Sequence, residues 1–120
     1  MGFDFTICSP IGIKKTLSFK TDKDGEFAES SKPEKKPEEA KDIKKVEISG
    51  KLVKPTGLSV EGVLTFNGKP TAFKKTPAGK SVKFGRFELK ETNQFGLEGS
   101  TDPVTPNTQL SFEVEINPCT

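Results

Sequence analysis

KVEISGKLVKPTGLSVEGVLTFNGKPTAF, residues 45–73, decides the class of fold. Val46, Ile48, Gly50 and Leu52, then Leu58, Val60, Gly62, Leu64 and Phe66, make every second residue apolar or glycine. Successive side chains leave a strand on opposite faces, so this period marks half-buried strands. Lys45, Glu47, Ser49, Lys51, Ser59, Glu61 and Thr65 take the other face. Asn67-Gly68 supplies the positive φ that both central positions of a type I′ turn require, folding the second run onto a third, Lys69 to Phe73. Three consecutive antiparallel strands are therefore expected. An odd loop through Lys54, Pro55, Thr56 and Gly57 would set Leu52 opposite Leu58. The Asn-Gly turn sets Phe66 opposite Lys69, Leu64 opposite Thr71 and Gly62 opposite Phe73, the last an aromatic ring over a cross-strand glycine. Pro70 has no N–H to give a ladder, which puts the third strand at a sheet edge.

Before this stretch, Phe3, Phe5 and Ile7 alternate as a first strand that stops at Ser9-Pro10. Ile13, Leu17 and Phe19 share a face with Lys15 in a second strand. Residues 21–42 are polar, with Phe27 the one large apolar residue, and read as a loop or insertion. In it Pro37 is placed to open a short helix towards Lys45, acids first and lysines last, as a helix dipole favours. Such a segment is suited to ordering against a partner or to remaining a solvated loop.

After the stretch, Ser81 to Lys90 changes parity midway, with Val82 and Phe84 at even positions and Phe87 and Leu89 at odd ones. One extra residue at Gly85-Arg86 restores a common face, which predicts a β-bulge there. Gln94 to Leu97 reads as a short strand, Ser100 to Thr108 as a long loop, and Leu110, Phe112, Val114 and Ile116 as a cleanly alternating final strand. The whole predicts an all-β single domain over residues 1–120, an antiparallel β-sandwich or small β-barrel of seven to eight strands.

The net charge of +2 hides a strong asymmetry. Residues 43–90 carry eleven Lys or Arg against three Glu, and residues 91–120 carry five acids and no base. A basic middle and an acidic end suit two partners of opposite sign, or copies of the chain packed head to tail. Lysine supplies eighteen of the nineteen bases, which weakens a sequence-specific nucleic-acid reading, where arginine forks are the usual readers. No apolar run is long enough to span a bilayer, and the start lacks the pattern of a signal peptide. Met1-Gly2 with Thr6 matches the myristoylation pattern, but the strand-like alternation of Phe3, Phe5 and Ile7 is the better reading. The expected location is the cytoplasm of the host cell, or a virion or tail-like particle. In the cytosol Cys8 and Cys119 are expected to be free thiols rather than a bridge.

The chain has no histidine, tyrosine or tryptophan, so the commonest general base is missing and no enzyme activity is expected. Two distant cysteines without histidine do not make a zinc site, and Asp22, Asp24 and Glu26 lack the full calcium-loop pattern. Neither a metal nor any other cofactor is expected. Glu113 and Glu115 share a strand face, as exposed charges on an antiparallel strand ordinarily do. Nucleic acid is the more serious alternative: Lys74, Lys75, Lys80, Lys83, Arg86 and Lys90 surround Phe84 and Phe87, and small barrels bind single strands by stacking and charge. With ten Phe as the chain's aromatics, however, the core needs most of them.

The layout resembles a known group. A short opening strand Phe3-Asp4-Phe5-Thr6-Ile7, a polar insertion, the Val46-Glu47-Ile48-Ser49-Gly50-Lys51 strand, and a late Phe87 to Gly99 segment before Leu110-Ser111-Phe112-Glu113-Val114 look like the small β-barrel proteins of phage and contractile tails. These include tail-tube subunits, their relatives in type VI secretion and prophage tail accessory proteins. The resemblance implies a structural protein that joins a homo-oligomer or larger assembly through sheet edges and loops, with Lys69, Pro70, Thr71 and Phe73 as the candidate edge. The Gly62 to Pro70 stretch also resembles transthyretin-like and other Ig-type accessory modules, which implies a binding role.

Overall fold

The computed structural model describes residues 13–36, 38 and 41–119. Ten strands form in them: β1 (Ile13–Lys20), β2 (Glu26–Ser30), β3 (Glu34–Lys35), β4 (Lys45–Lys54), β5 (Ser59–Phe66), β6 (Lys69–Pro77), β7 (Val82–Glu88), β8 (Thr92–Asn93), β9 (Phe95–Asp102) and β10 (Gln109–Cys119). Two four-stranded antiparallel sheets form, ordered β1-β10-β4-β7 and β2-β9-β5-β6, with β3 and β8 as a separate ribbon. The expected all-β sandwich is the fold observed.

Pairing follows one rule from the Asn67-Gly68 turn outward, where φ is 51° and 85°. Phe66 faces Lys69, Val46 faces Phe87, Glu34 faces Asn93, Phe27 faces Gly99 and Leu17 faces Phe112. The chain is thus one long antiparallel hairpin with its tip at Asn67-Gly68. Rolled up, it lays β10 against β4 and β9 against β5, which closes the two sheets into a sandwich. This nesting gives the strand order of a jelly roll.

The rolled hairpin corrects the expectation of three consecutive paired strands. β5 and β6 pair in the register expected, with Leu64 opposite Thr71 and Gly62 opposite Phe73. β4 lies instead in the other sheet, between β10 and β7, and Leu52 faces Phe112 rather than Leu58. Parity dictates which face a strand buries, not which strand lies beside it, and both arrangements bury Leu52 and Leu58.

Three further boundaries differ from expectation. The polar segment 21–42 holds β2 and β3, anchored by Phe27, which is buried with its ring 4.7 Å from that of Phe19. Of the helix expected from Pro37, the described residues give a Lys41 N–H to Glu38 O bond of 3.2 Å, and Lys45 already belongs to β4. β9 runs on to Asp102, because Gly96 and Gly99 interrupt an alternation that Phe95, Leu97 and Thr101 complete inside. The bulge in β7 falls within a residue of its expected place: Ile48 faces Gly85 and Ser49 faces Lys83, leaving Phe84 extra, with φ of 109° at Gly85. The strand expected at Phe3 to Ile7 and the myristoylation pattern lie outside the described residues.

Phenylalanine rings join the sheets. Phe66 of one sheet meets Phe87 of the other edge-on at 5.6 Å, and Phe73 meets Phe84 in the same way at 5.6 Å. Such pairs contribute roughly 0.5–1.5 kcal/mol each beyond the area they bury. Phe73 stands opposite Gly62 as expected, and a second ring fills the space left by a glycine on β4, since a Cβ on Gly50 would strike the Phe112 ring at 2.6 Å. At Gly62 the neighbour is backbone. A Cβ there would come within 2.0 Å of Glu98 O, and one on Gly99 within 2.0 Å of Glu61 O, so two facing glycines let β5 and β9 approach closely.

Cys119 at the end of β10 is buried and disulfide-bonded, which overturns the expectation of free thiols for it. The other cysteine, Cys8, lies outside the described residues. After denaturation without reductant, a thiol assay should detect fewer than two free thiols per chain; two would contradict this bond.

Gly62→Ala and Gly99→Ala should each destabilise by about 1–3 kcal/mol, as forced overpacking does. Gly96→Ala, whose Cβ would find Thr65 Cβ at 3.6 Å, should stay within about 0.5 kcal/mol of wild type. Urea midpoints decide it: equal costs at Gly62 and Gly96 would exclude the close-approach account.

Candidate assembly surfaces

β6 is an edge strand, as the proline indicated, and β7 is the edge of the other sheet. The two strands touch along one side of the sandwich. The candidate edge residues divide. Lys69 and Pro70 are exposed and Thr71 half-buried, whereas Phe73 is a core residue, its ring on Phe84 and 6.3 Å from Phe112. The edge is also poorly equipped to accept a strand. Pro70 has no N–H, Lys74 and Lys75 together stand opposite Glu61 as the register shifts, and Thr76 Oγ1 donates to Lys74 O at 2.7 Å. Proline, a bulge and lysines are the devices by which a sheet edge resists pairing.

What the side offers is charge. Lys74 and Lys75 lie on β6, Lys80 in the following turn, Lys83 and Arg86 on β7 and Lys90 just beyond it, all six exposed. The fold gathers the bases that the sequence grouped. It withdraws the aromatics between them, because Phe84 and Phe87 are 6% and 7% exposed and face the core. Arg86 Nε lies 3.9 Å from Glu47 across the β4–β7 pair. Lys75 pairs with Asp102 of β9, reaching over β5. The hydrogen bond and the charge of Asp102 raise the Lys75 ammonium above its ordinary value of 10.5, with Glu61 adding to the effect and desolvation opposing it.

A second surface was not visible in the sequence. Glu26 of β2, Glu98 of β9 and Glu61 of β5 are exposed on the outer face of the β2-β9-β5-β6 sheet. Register brings them together: Glu26 and Glu61 both flank Ser100, and Glu98 stands between Ala28 and Val63. None of the three pairs with a cation among the described residues. A shallow groove of about 670 Å³ runs over this face, with Ala28, Gly96 and Thr65 in its lining, and a second hollow of about 590 Å³ shares Ala28 and Glu98 with it. One end of the groove is walled by an amide network. Asn67 Nδ2 donates to Asn93 Oδ1 at 2.8 Å, Gln94 N–H to Asn67 Oδ1 at 2.8 Å, and Gln94 Nε2 to Ser31 O at 2.9 Å.

Among the described residues no group of three or more His, Cys, Asp or Glu is arranged to hold a metal ion, and no helix is long and apolar enough to cross a membrane.

No family model and no curated protein matches the sequence. Among solved structures, the chain is similar to the Yersinia pseudotuberculosis-derived mitogen, at 11% identity and a TM-score of 0.46, covering 89% of this chain and 86% of that one. It is also similar to the structure of infectious bursal disease virus, Gx strain, at 12% identity and a TM-score of 0.44, where 96% of this chain covers 32% of that one.

Phe84→Ala should destabilise the fold by about 3–5 kcal/mol, as emptying an aromatic core site does. Lys83→Ala beside it should change stability by less than about 0.5 kcal/mol. Thermal or urea unfolding compares them; a Phe84 variant as stable as wild type would return that ring to the surface.

Proposed function

We propose that the chain is a non-enzymatic structural protein that works by association, with copies of itself or with a larger assembly of the phage or phage-derived tail kind. The observation that carries this reading is the separation of charge on one rigid sandwich. Carboxylates from three strands stand on the outer face of β2-β9-β5-β6, and lysines line the β6–β7 side. The jelly roll is used by viral capsid and lectin domains among others, an analogy of fold and not of site. A disulfide-bonded Cys119 suits an assembled particle or an oxidising compartment better than a reducing cytosol. The Ig-type alternative is weakened by the strand order, since Ig sheets are built from a different succession of strands.

Single-stranded nucleic acid remains the second reading, carried by the six clustered bases of the β6–β7 side. With Phe84 and Phe87 buried, such binding rests on phosphate contacts alone and weakens steeply with salt.

Sedimentation velocity over a wide concentration range, with recovery of partners from the native source, tests the first reading: oligomers or a bound assembly are expected. A monodisperse monomer with no partner overturns it. Labelled oligonucleotides titrated at low and high salt test the second, and absence of binding at low salt removes it.

A further inference from the structure

The acidic face and the basic side are complementary surfaces of the same molecule, and we propose that they bind each other between copies. The outer face of β2-β9-β5-β6 in one copy receives the lysine-lined β6–β7 side of the next. This rests on the assembly reading above and specifies its contact.

Charge is the first argument. Glu26, Glu61 and Glu98 on the face, and Lys74, Lys80 and Lys83 on the side, are exposed and make no ion pair among the described residues. Within one copy, Lys75 already shows the contact in miniature, its ammonium paired with Asp102 at the border between side and face. Lys83 beyond it on β7 belongs to the other sheet, and a neighbouring copy offers it the same partners.

Shape is the second. Ala28 and Gly96 in the groove and Val63 in the second hollow leave the face low beside Glu98, which gives long lysine stems room to lie while their heads reach the charges. The third is the state of the edge. Pro70, the Lys74-Lys75 bulge and the occupied Lys74 carbonyl oppose strand addition, so association through this side uses side chains and not a continued ladder. Because face and side are different surfaces, the contact is heterologous. Each copy added leaves one of each unused, and the product is a ring if the rotation closes and a filament if it does not.

The test is a charge swap in the full chain. Glu61→Lys/Glu98→Lys reverses the face, and Lys80→Glu/Lys83→Glu reverses the side; all four positions are exposed, and circular dichroism with thermal melting verifies folding. At ionic strength of about 0.01 M, where screening reaches only beyond ~30 Å, wild type should exceed dimer mass by light scattering, and it should return to monomer near 1 M salt. Each folded variant alone should associate at least about 10-fold more weakly, and an equimolar mixture should regain assembly because each reversed surface meets its reversed complement. Should either pair misfold, the neutral Glu98→Gln and Lys83→Gln replace it, each weakening association less than the reversal. Assembly that persists unchanged in either variant, or folded variants that fail to restore it when mixed, overturns the face-to-side contact and leaves the assembly reading standing. A wild-type monomer at every concentration and both salts overturns both.

Discussion

Asn67-Gly68 is the point from which every strand pair can be counted. Two successive residues with positive φ reverse the chain in the least space a hairpin allows, and the right-handed twist of the flanking strands fits that reversal. Once Phe66 faces Lys69, the partners of β4, β3, β2 and β1 are found by moving outward along both arms, with bulges at Lys74-Lys75 and Phe84-Gly85 absorbing the slips. Those bulges also bend the arms, and a bent hairpin can roll until β10 meets β4 and β9 meets β5. Phenylalanine pairs across the gap then hold the roll shut.

What could be read in the sequence was local. The β5–β6 register was legible to the residue because turn chemistry fixes it, and the β7 bulge because a parity change needs an extra residue. β4 was assigned the wrong neighbour because alternation carries no information about adjacency. β2 went unread since Phe27 is its one inward apolar residue, and β9 was read short because Gly96 and Gly99 have no side chain to register in the pattern. The basic side could be seen because its residues lie within seventeen positions of chain, 74 to 90. The acidic face could not: Glu26, Glu61 and Glu98 are far apart until the roll aligns them. The bonding of Cys119 was misjudged for a different reason, because the expectation rested on a reducing compartment and not on anything in the pattern of residues.

The edges of the sandwich explain why the proposed association rests on charge rather than on backbone pairing. An open sandwich exposes two edges per sheet, and at β6 and β7 the chain fills them with lysine, proline and bulges. These features discourage uncontrolled strand addition. They also concentrate positive charge along this side, while the carboxylates of the adjoining face carry the opposite sign.

The nesting of the hairpin has a consequence for the order in which the molecule can be made. β10 lies between β1 and β4, so β1 has no sheet partner, and β4 only β7, until a strand synthesised late arrives. On the ribosome, β5 and β6 can close as soon as they emerge, whereas the β1-β10-β4-β7 sheet has no centre until residues 109–119 are out. Long-range pairing of this kind folds slowly, in the millisecond-to-second regime typical of β-sandwiches. Through that interval the apolar face of β1 is held only by collapse onto the growing arm. The lysines along β1 and β4, from Lys14 to Lys54, are the kind of charged residue that opposes aggregation of such waiting strands.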